Sequence, residues 1–395
     1  MEFDDIGRLL GAATTRRAFL GKTALALAPV VAGHTWTKKP PATTTPTDEQ
    51  PAVYMPPVRA RGAAVRNVRD YGALGNGVHD DTTAIQAAIN SLPSDGGTVN
   101  IPAGRYLVDA VRSIKPRSRM LLQLAPDATL VVKPNSAEKA YLIYALSVSD
   151  VEIAGGQVIG DRYGHLGTTG EWGHAVFVRG CTRVTVRDMR LADCWGDGLS
   201  IGAALVWQGD PIASEDVVVA NVVSTNNRRQ GISIGRANNV VLRDSEFSNS
   251  NGTAPECGID IEPDDPGTSN VVSIENCTFR GNRKYGMLCY KRSRNTTIRR
   301  CTVENNGSCG IVTVGSTGVM IESNDIRLNR ATGIYVQDGT SNCQIAQNSF
   351  YGNYSSQGVV DRTDFTLDGW ASKIERDILV RGVTSDIRIL SNYYK

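Results

Sequence analysis

From residue 198 onward, short apolar triplets recur along the chain, each directly after a glycine. "LSI", "ISI", "IDI", "MLC", "IVT", "IYV" and "VVD" follow Gly198, Gly231, Gly258, Gly286, Gly310, Gly333 and Gly358. Successive glycines are 23 to 33 residues apart, and each interval holds a second run such as "NVVLRDSEF" or "NTTIRRCTV". Apolar and polar positions alternate inside these runs, which is the period of a strand and not of a helix. Repeats of this length, built of short strands, predict a solenoid of parallel β coils. One coil cannot bury its apolar side alone, so stacking supplies the core.

The same alignment sorts side chains by face. In "VLRDSEF", "SIENCTF", "TIRRCTV", "MIESNDI" and "QIAQNSF", one equivalent place holds Ser245, Cys277, Cys301, Asn324 and Asn348, which reads as an inward ladder of small or polar groups. If Ile232, Ile234, Ile259 and Ile261 fill the coil, strand parity turns Asp260 and Glu262 outward, onto the solvent face. The first outward ladder then runs Phe177, Ser200, Ser233, Asp260, Leu288, Val312, Tyr335. The second runs Arg179, Gly202, Gly235, Glu262, Tyr290, Val314, Gln337. Small residues beside a carboxylate pair leave a depression with acids at its edge, and Tyr290 and Tyr335 stand beyond it as stacking surfaces for sugar rings.

One place before the repeat glycine come His174, Asp197, Gln230, Cys257, Tyr285, Cys309 and Thr332. Neighbouring coils lie about 4.8 Å apart, so Asp197 falls about two coils, roughly 10 Å, from Asp260. Arg228, Arg229 and Gln230 sit on the coil between. Longer excursions at 160–174, "GDRYGHLGTTGEWGH", and 203–215, "AALVWQGDPIASE", read as loops walling this face, with Trp172 and Trp207 as platforms. Paired carboxylates in a groove suit glycosidic cleavage, in which one acid protonates the leaving oxygen and the other activates water or attacks the anomeric carbon. Asp260 and Glu262 are the expected pair, with Asp197 as third carboxylate. Substrate contacts are expected from Arg228, Arg229, Gln230, Trp172, His174, Trp207, Tyr285, Tyr290 and Tyr335. Asp264 and Asp265, beside Pro263, Pro266 and Gly267, read as a turn.

Residues 68–106, "VRDYGALGNGVHDDTTAIQAAINSLPSDGGTVNIPAGRY", carry an apolar stripe at helical spacing through Ala84, Ile85, Ala88 and Ile89. Asp80, Asp81 and Thr82 stand where N-cap groups belong, so they and His79 are read as structural. This stretch closely resembles the opening coil and capping helix of the pectate-lyase-like superfamily. That resemblance, with the repeats, covers about residues 65–390. It implies an all-β, single-stranded right-handed parallel β-helix with a short N-terminal capping helix, active on polysaccharides. "GDGLSIG" and "RQGISIG" are similar to two strands of the polygalacturonase glycoside hydrolases, but Gly198 replaces their second Asp, Gln230 stands in place of a His, and no Asn-Thr-Asp strand precedes them. The resemblance therefore supports the class and does not name a substrate.

Composition adds bounds. A formal net charge of +2 over 395 residues gives no electrostatic reason to expect nucleic acid or an anionic membrane as partner. Thr15-Arg16-Arg17-Ala18-Phe19-Leu20 before a short apolar run predicts a twin-arginine signal peptide over 1–32, hence export to the periplasm or medium. A Pro/Thr-rich linker is expected over 33–64 and the catalytic β-helix over 65–395. The eight cysteines are read mainly as packed thiols, with Cys181–Cys194 or Cys289–Cys309 as candidate bridges. No metal-ligand spacing or cofactor fingerprint appears, so no cofactor is expected. Two other readings stay open. A polysaccharide lyase or C5-epimerase would draw on Arg228, Arg229, Lys284, Tyr285 or Lys291, with calcium as a candidate ion. A glycan-binding envelope protein would need no catalysis.

Overall fold

The computed structural model describes residues 54–206, 208–263, 267–354 and 376–395. The signal-peptide reading, Trp207, Asp264, Asp265 and the last repeat glycine, Gly358, lie outside these residues. Among the described residues the strands pair in parallel, with one isolated antiparallel bridge between Ala204 and Ile212, and consecutive coils wind as a right-handed β-helix. Its strands fall into three ladders. Two of them merge through the long strands Thr182–Ala192 and Ser214–Thr225. The third contains the strands that follow the repeat glycines.

That third ladder places the candidate site residues, and its register matches the parity argument. Phe177 pairs with Ser200, Ser200 with Ser233, Ser233 with Asp260, Asp260 with Leu288, Leu288 with Val312 and Val312 with Tyr335. The alternating residues Leu199, Ile201, Ile232, Ile234, Ile259 and Ile261 are fully buried in the common core. On the coil after Ile334–Val336 the ladder continues with Ile378–Val380.

The glycine before each strand answers to close approach. A Cβ on Gly231 would sit 2.6 Å from the carbonyl oxygen of Gly258, and one on Gly258 would sit 2.7 Å from that of Gly286. No side chain fits where stacked backbones come that near.

Inside the coil, the ladder of small groups is bonded from turn to turn. The Cys301 amide donates to Asn324 Oδ1 at 2.9 Å, and the Asn324 amide donates to Asn348 Oδ1 at 3.0 Å. A second ladder, unforeseen from the sequence, runs through Asn282, Asn306, Asn329 and Asn353, each side-chain amide donating to the next residue's Oδ1 at 2.9 to 3.0 Å. All eight cysteines are free and buried, as the packed-thiol reading expected, and neither candidate bridge is formed. The thiols serve as small apolar fillers in a stack whose backbone bonds already fix the coils.

A helix covers Thr82–Asn90 and buries Ala84, Ile85, Ala88 and Ile89. Its N-terminus differs from expectation, because Asp81 makes no side-chain cap. Asp81 instead accepts from the amides of Leu74 and Gly75 and faces His79 Nδ1 at 2.8 Å, while Asp80 receives the Thr82 amide. The end of the segment read as linker is bound to the coils. Arg59 donates through its backbone to Glu152 and through its guanidinium to Thr185 and Asp216, which lie on three successive turns.

Candidate functional site

Three turns converge on one cluster. Asp197 precedes Gly198, Arg229 and Gln230 precede Gly231, and Asp260 is the middle residue of Ile259–Ile261, with Glu262 directly after it. Strand register stacks Ser200, Ser233 and Asp260 on the outward side. Backbone bonds fix the neighbouring place, since Gly198 N donates to Gln230 O at 3.1 Å and Gly231 N to Cys257 O at 3.2 Å.

Hydrogen bonds join these side chains into one connected cluster. Arg229 Nη1 donates to both oxygens of Asp197 at 3.2 and 3.3 Å, and to Gln230 Oε1 at 2.6 Å. Gln230 Nε2 then donates to Asp260 Oδ2 at 2.6 Å. On the other side, Ser233 donates to Asp197 Oδ2 at 2.8 Å and lies 2.7 Å from Ser200 Oγ, which receives Arg179 Nη2 at 2.9 Å. With the Ser233 proton committed to Asp197, Ser200 is the donor between the two serines. Two buried atoms of the cluster stand outside this order: Arg229 Nε, which has only Glu171 at 3.7 Å, and one oxygen of Asp260. Asp260 Oδ1 is buried and has no hydrogen-bond partner.

The acids do point away from the coil interior, but they do not line an open groove. Asp197 is 0% and Asp260 2% exposed, because the side chains of the intervening turn, Arg229, Gln230 and Ser233, bond directly onto them. Glu262 is half-buried, and its amide donates to Ile234 O at 2.9 Å.

Burial sets the electrostatics. It pushes the Asp260 carboxyl well above the carboxylate range, and the neighbouring Glu262 charge pushes the same way; Arg229 and the Gln230 bond oppose both. Burial also raises Asp197, against the pull of Arg229 and Ser233. Burial works against the Arg229 cation, but Asp197, Glu171, Asp260 and Glu262 outweigh it and raise its pKa. Arg229 therefore stays charged and holds Asp197 as its partner, so Asp197 is an electrostatic anchor and not a free acid. His174 is driven well below the imidazole range, first by burial and then by Arg179 and Arg229. Its neutral ring accepts the Asp197 amide at Nδ1, 2.9 Å away, and has almost no surface to offer a substrate.

The other expected contacts divide. Arg228 is committed to the wall, lying 3.8 Å over the Trp195 ring and donating to Gly170 O and Trp195 O. His165 stacks on the same ring at 4.0 Å and faces Asp161. Gln230 joins the cluster as a fully buried bridge. Trp172 stands at the rim with Lys139 5.0 Å over it, Tyr290 is half-buried beside Lys291, and Tyr285 and Tyr335 are buried. Two aromatic residues of the preceding turn were missed. Tyr141 stacks on Phe177 at 3.8 Å, with Tyr144 edge-on to Tyr141, and Arg179 lies 3.5 Å over the Phe177 ring. Among the described residues, no group of three or more His, Cys, Asp or Glu is arranged to hold a metal ion, and no helix is long and apolar enough to cross a membrane.

The family described as "Right handed beta helix region" matches residues 255–364, and that described as "Rhamnogalacturonase A/epimerase, pectate lyase-like" matches residues 65–155. An uncharacterized protein, YclG of Bacillus subtilis, is 26% identical over 83% of this chain, which spans 62% of that protein's length. Mannuronan C5-epimerase AlgE5 of Azotobacter vinelandii is 24% identical over 76% of this chain, corresponding to 23% of its own length. The A-module of Azotobacter vinelandii mannuronan C-5 epimerase AlgE4 superposes with a TM-score of 0.58 at 20% identity, covering 84% of this chain and 97% of the module. The exopolygalacturonase of Yersinia enterocolitica superposes with a TM-score of 0.52 at 14% identity, covering 85% of this chain and 78% of that one. At such identities the superpositions speak for the fold.

Proposed function

We propose that this right-handed parallel β-helix, whose residues 65–155 match a pectate-lyase-like family, is an exported enzyme that cleaves glycosidic bonds in a polysaccharide. The observation that carries this reading is Asp260, a buried carboxyl on the outward ladder, its pKa raised well above the ordinary range, with one oxygen unpartnered and Glu262 beside it. A carboxyl held in its acid form can protonate a leaving glycosidic oxygen, and a neighbouring carboxylate can activate water or attack the anomeric carbon. Asp260 is the acid and Glu262 its partner. The Arg229–Asp197 pair fixes the intervening turn. Since Asp260 is enclosed, the polymer meets it only after the side chains over it move. Export is supported by the Arg16-Arg17 signal pattern.

A second reading is favoured by the likeness to mannuronan C5-epimerases. In it the site removes the proton next to a uronate carboxylate, with Arg179 or Lys284 facing that carboxylate. Product analysis on a panel of neutral and uronate polysaccharides separates the two. A hydrolase releases reducing ends, a lyase releases an ultraviolet-absorbing unsaturated uronide, and an epimerase incorporates solvent deuterium at C5 without cleavage. Asp260→Asn is expected to lower turnover by about 10²- to 10⁴-fold, with Glu262→Gln in the same range. Undiminished turnover in Asp260→Asn would end the proposal.

A further inference from the structure

Gln230 stands beside the acid without being one, and its orientation is not free. An arginine can only donate, so Gln230 Oε1 must face Arg229 Nη1, 2.6 Å away. The amide's other end, Nε2, can only donate, and it lies 2.6 Å from Asp260 Oδ2. Oδ2 is therefore held as an acceptor. We propose that Gln230, locked by Arg229, is a positioning residue that confines the acidic proton of Asp260 to Oδ1, the buried oxygen without a partner, and so aims it at the substrate.

This rests on the reading of Asp260 as proton donor, and it adds the path. The Oδ1–H bond breaks as the proton passes to the substrate oxygen. The electron pair stays on the Asp260 carboxylate, and Gln230 Nε2 is already placed to hold its Oδ2 end, so the product state needs no side-chain rearrangement. The guanidinium of Arg229 is fixed in turn by Asp197, which accepts from it through both oxygens. Asp197 thus acts on Asp260 through two intermediates. This gives the third carboxylate a part in the site without placing it near substrate.

The test combines a vibrational signature with a pH profile. In infrared difference spectra of the full-length protein taken across pH, the carbonyl band of protonated Asp260 is the one that Asp260→Asn removes. If Oδ2 is the carbonyl oxygen, Gln230→Met strips its hydrogen bond at similar volume, and the band moves to higher wavenumber. The same substitution removes a donor from the carboxylate form, so the basic limb of kcat/KM moves up by about one pH unit. Gln230→Glu keeps the bond to Arg229 but brings a carboxylate to Asp260, and the limb moves up again. An unmoved band together with an unmoved limb in Gln230→Met would overturn the assignment. Full activity in Asp260→Asn would instead sink the functional reading, while the band would still report where the proton sits.

Discussion

Two arrays of buried polar side chains run along this solenoid, and they are finished differently. The asparagine ladder is closed. Asn306 donates through Nδ2 to Asn329 Oδ1 and Phe279 O, and its Oδ1 accepts the amide and the side chain of Asn282. The cluster from Arg179 to Asp260 is bonded as continuously, but it ends on an oxygen that nothing satisfies. Leaving a buried polar atom unpaired costs about 1–3 kcal/mol. The first array spends its polarity on fixing the stack, and the second leaves a carboxyl oxygen unpaired, which under the proposed function is the proton donor.

The contrast breaks most visibly at Asn306. Asn306→Ala leaves the Asn282 amide and Phe279 O without their buried partners and is expected to destabilise the fold by about 2–4 kcal/mol. Because each coil contacts only its neighbours, the loss should appear in denaturant melts as an earlier transition, with turnover per folded molecule unchanged. A change in the pH–rate profile of the folded variant would show that the ladder also serves the site.

Asp260→Asn should act the other way on stability, by a smaller amount and with a pH signature. The folded pKa of Asp260 lies well above its ordinary 3.8. Its protonated form therefore contributes fully below about pH 4, and that contribution is lost as pH rises through the folded value, at up to about 1.4 kcal/mol per unit. Asn carries an amide where the Oδ1–H would be and has nothing to ionise. The variant is thus expected to match wild type near pH 4 and to be the more stable at pH 7 to 8, as thermal melts across pH would show. His174 works in the opposite sense. Its depressed pKa gives stability that is present above about pH 6.5 and fades as pH falls through the folded value. It does so equally in both proteins, and the difference isolates Asp260. A gap that narrows as pH rises would contradict the protonated state.

Much of the stack was legible because parity is a period-two rule and register copies it from turn to turn. The line from Phe177 to Tyr335 needed only the repeat glycines to align it. The asparagine ladder had the same kind of signal, with Asn282, Asn306, Asn329 and Asn353 at gaps of 23 and 24 residues, but these fall between strands, where alternation gives no guide. Tyr141 and Tyr144 escaped because their strand, Lys139–Leu146, lies one turn before Trp172–Arg179, where the aligned ladder began. The enclosure of Asp197 and Asp260 depends on the side-chain rotamers of Arg229 and Gln230. Those rotamers are set by partners on neighbouring turns, and strand periodicity carries no information about them. The reading of the cysteines as packed thiols held, while the two candidate bridges could not be decided from sequence, which gives the spacing of thiols and not the direction of their Cβ bonds.

The smallest expected effect concerns those thiols, which belong with the closed arrays. All eight thiols are buried, and burial pushes Cys289 and Cys343 up to about 12 and raises Cys257 well above the thiol range; at Cys301 burial is outweighed by its bonds to Cys277 and Arg299, which lower it. A buried, protonated thiol is a poor nucleophile, so the native protein should react with an aromatic disulfide reagent far more slowly than the denatured chain, in which eight thiols titrate. With no bridge to break, a reductant should leave the melting temperature within about 1 °C, whereas cutting a structural disulfide would cost about 2–5 kcal/mol, a shift of several degrees. Such a shift would mean that the chain matures oxidised. The stack would then owe part of its rigidity to covalent ties, and the destabilisation expected for Asn306→Ala would shrink by the same logic.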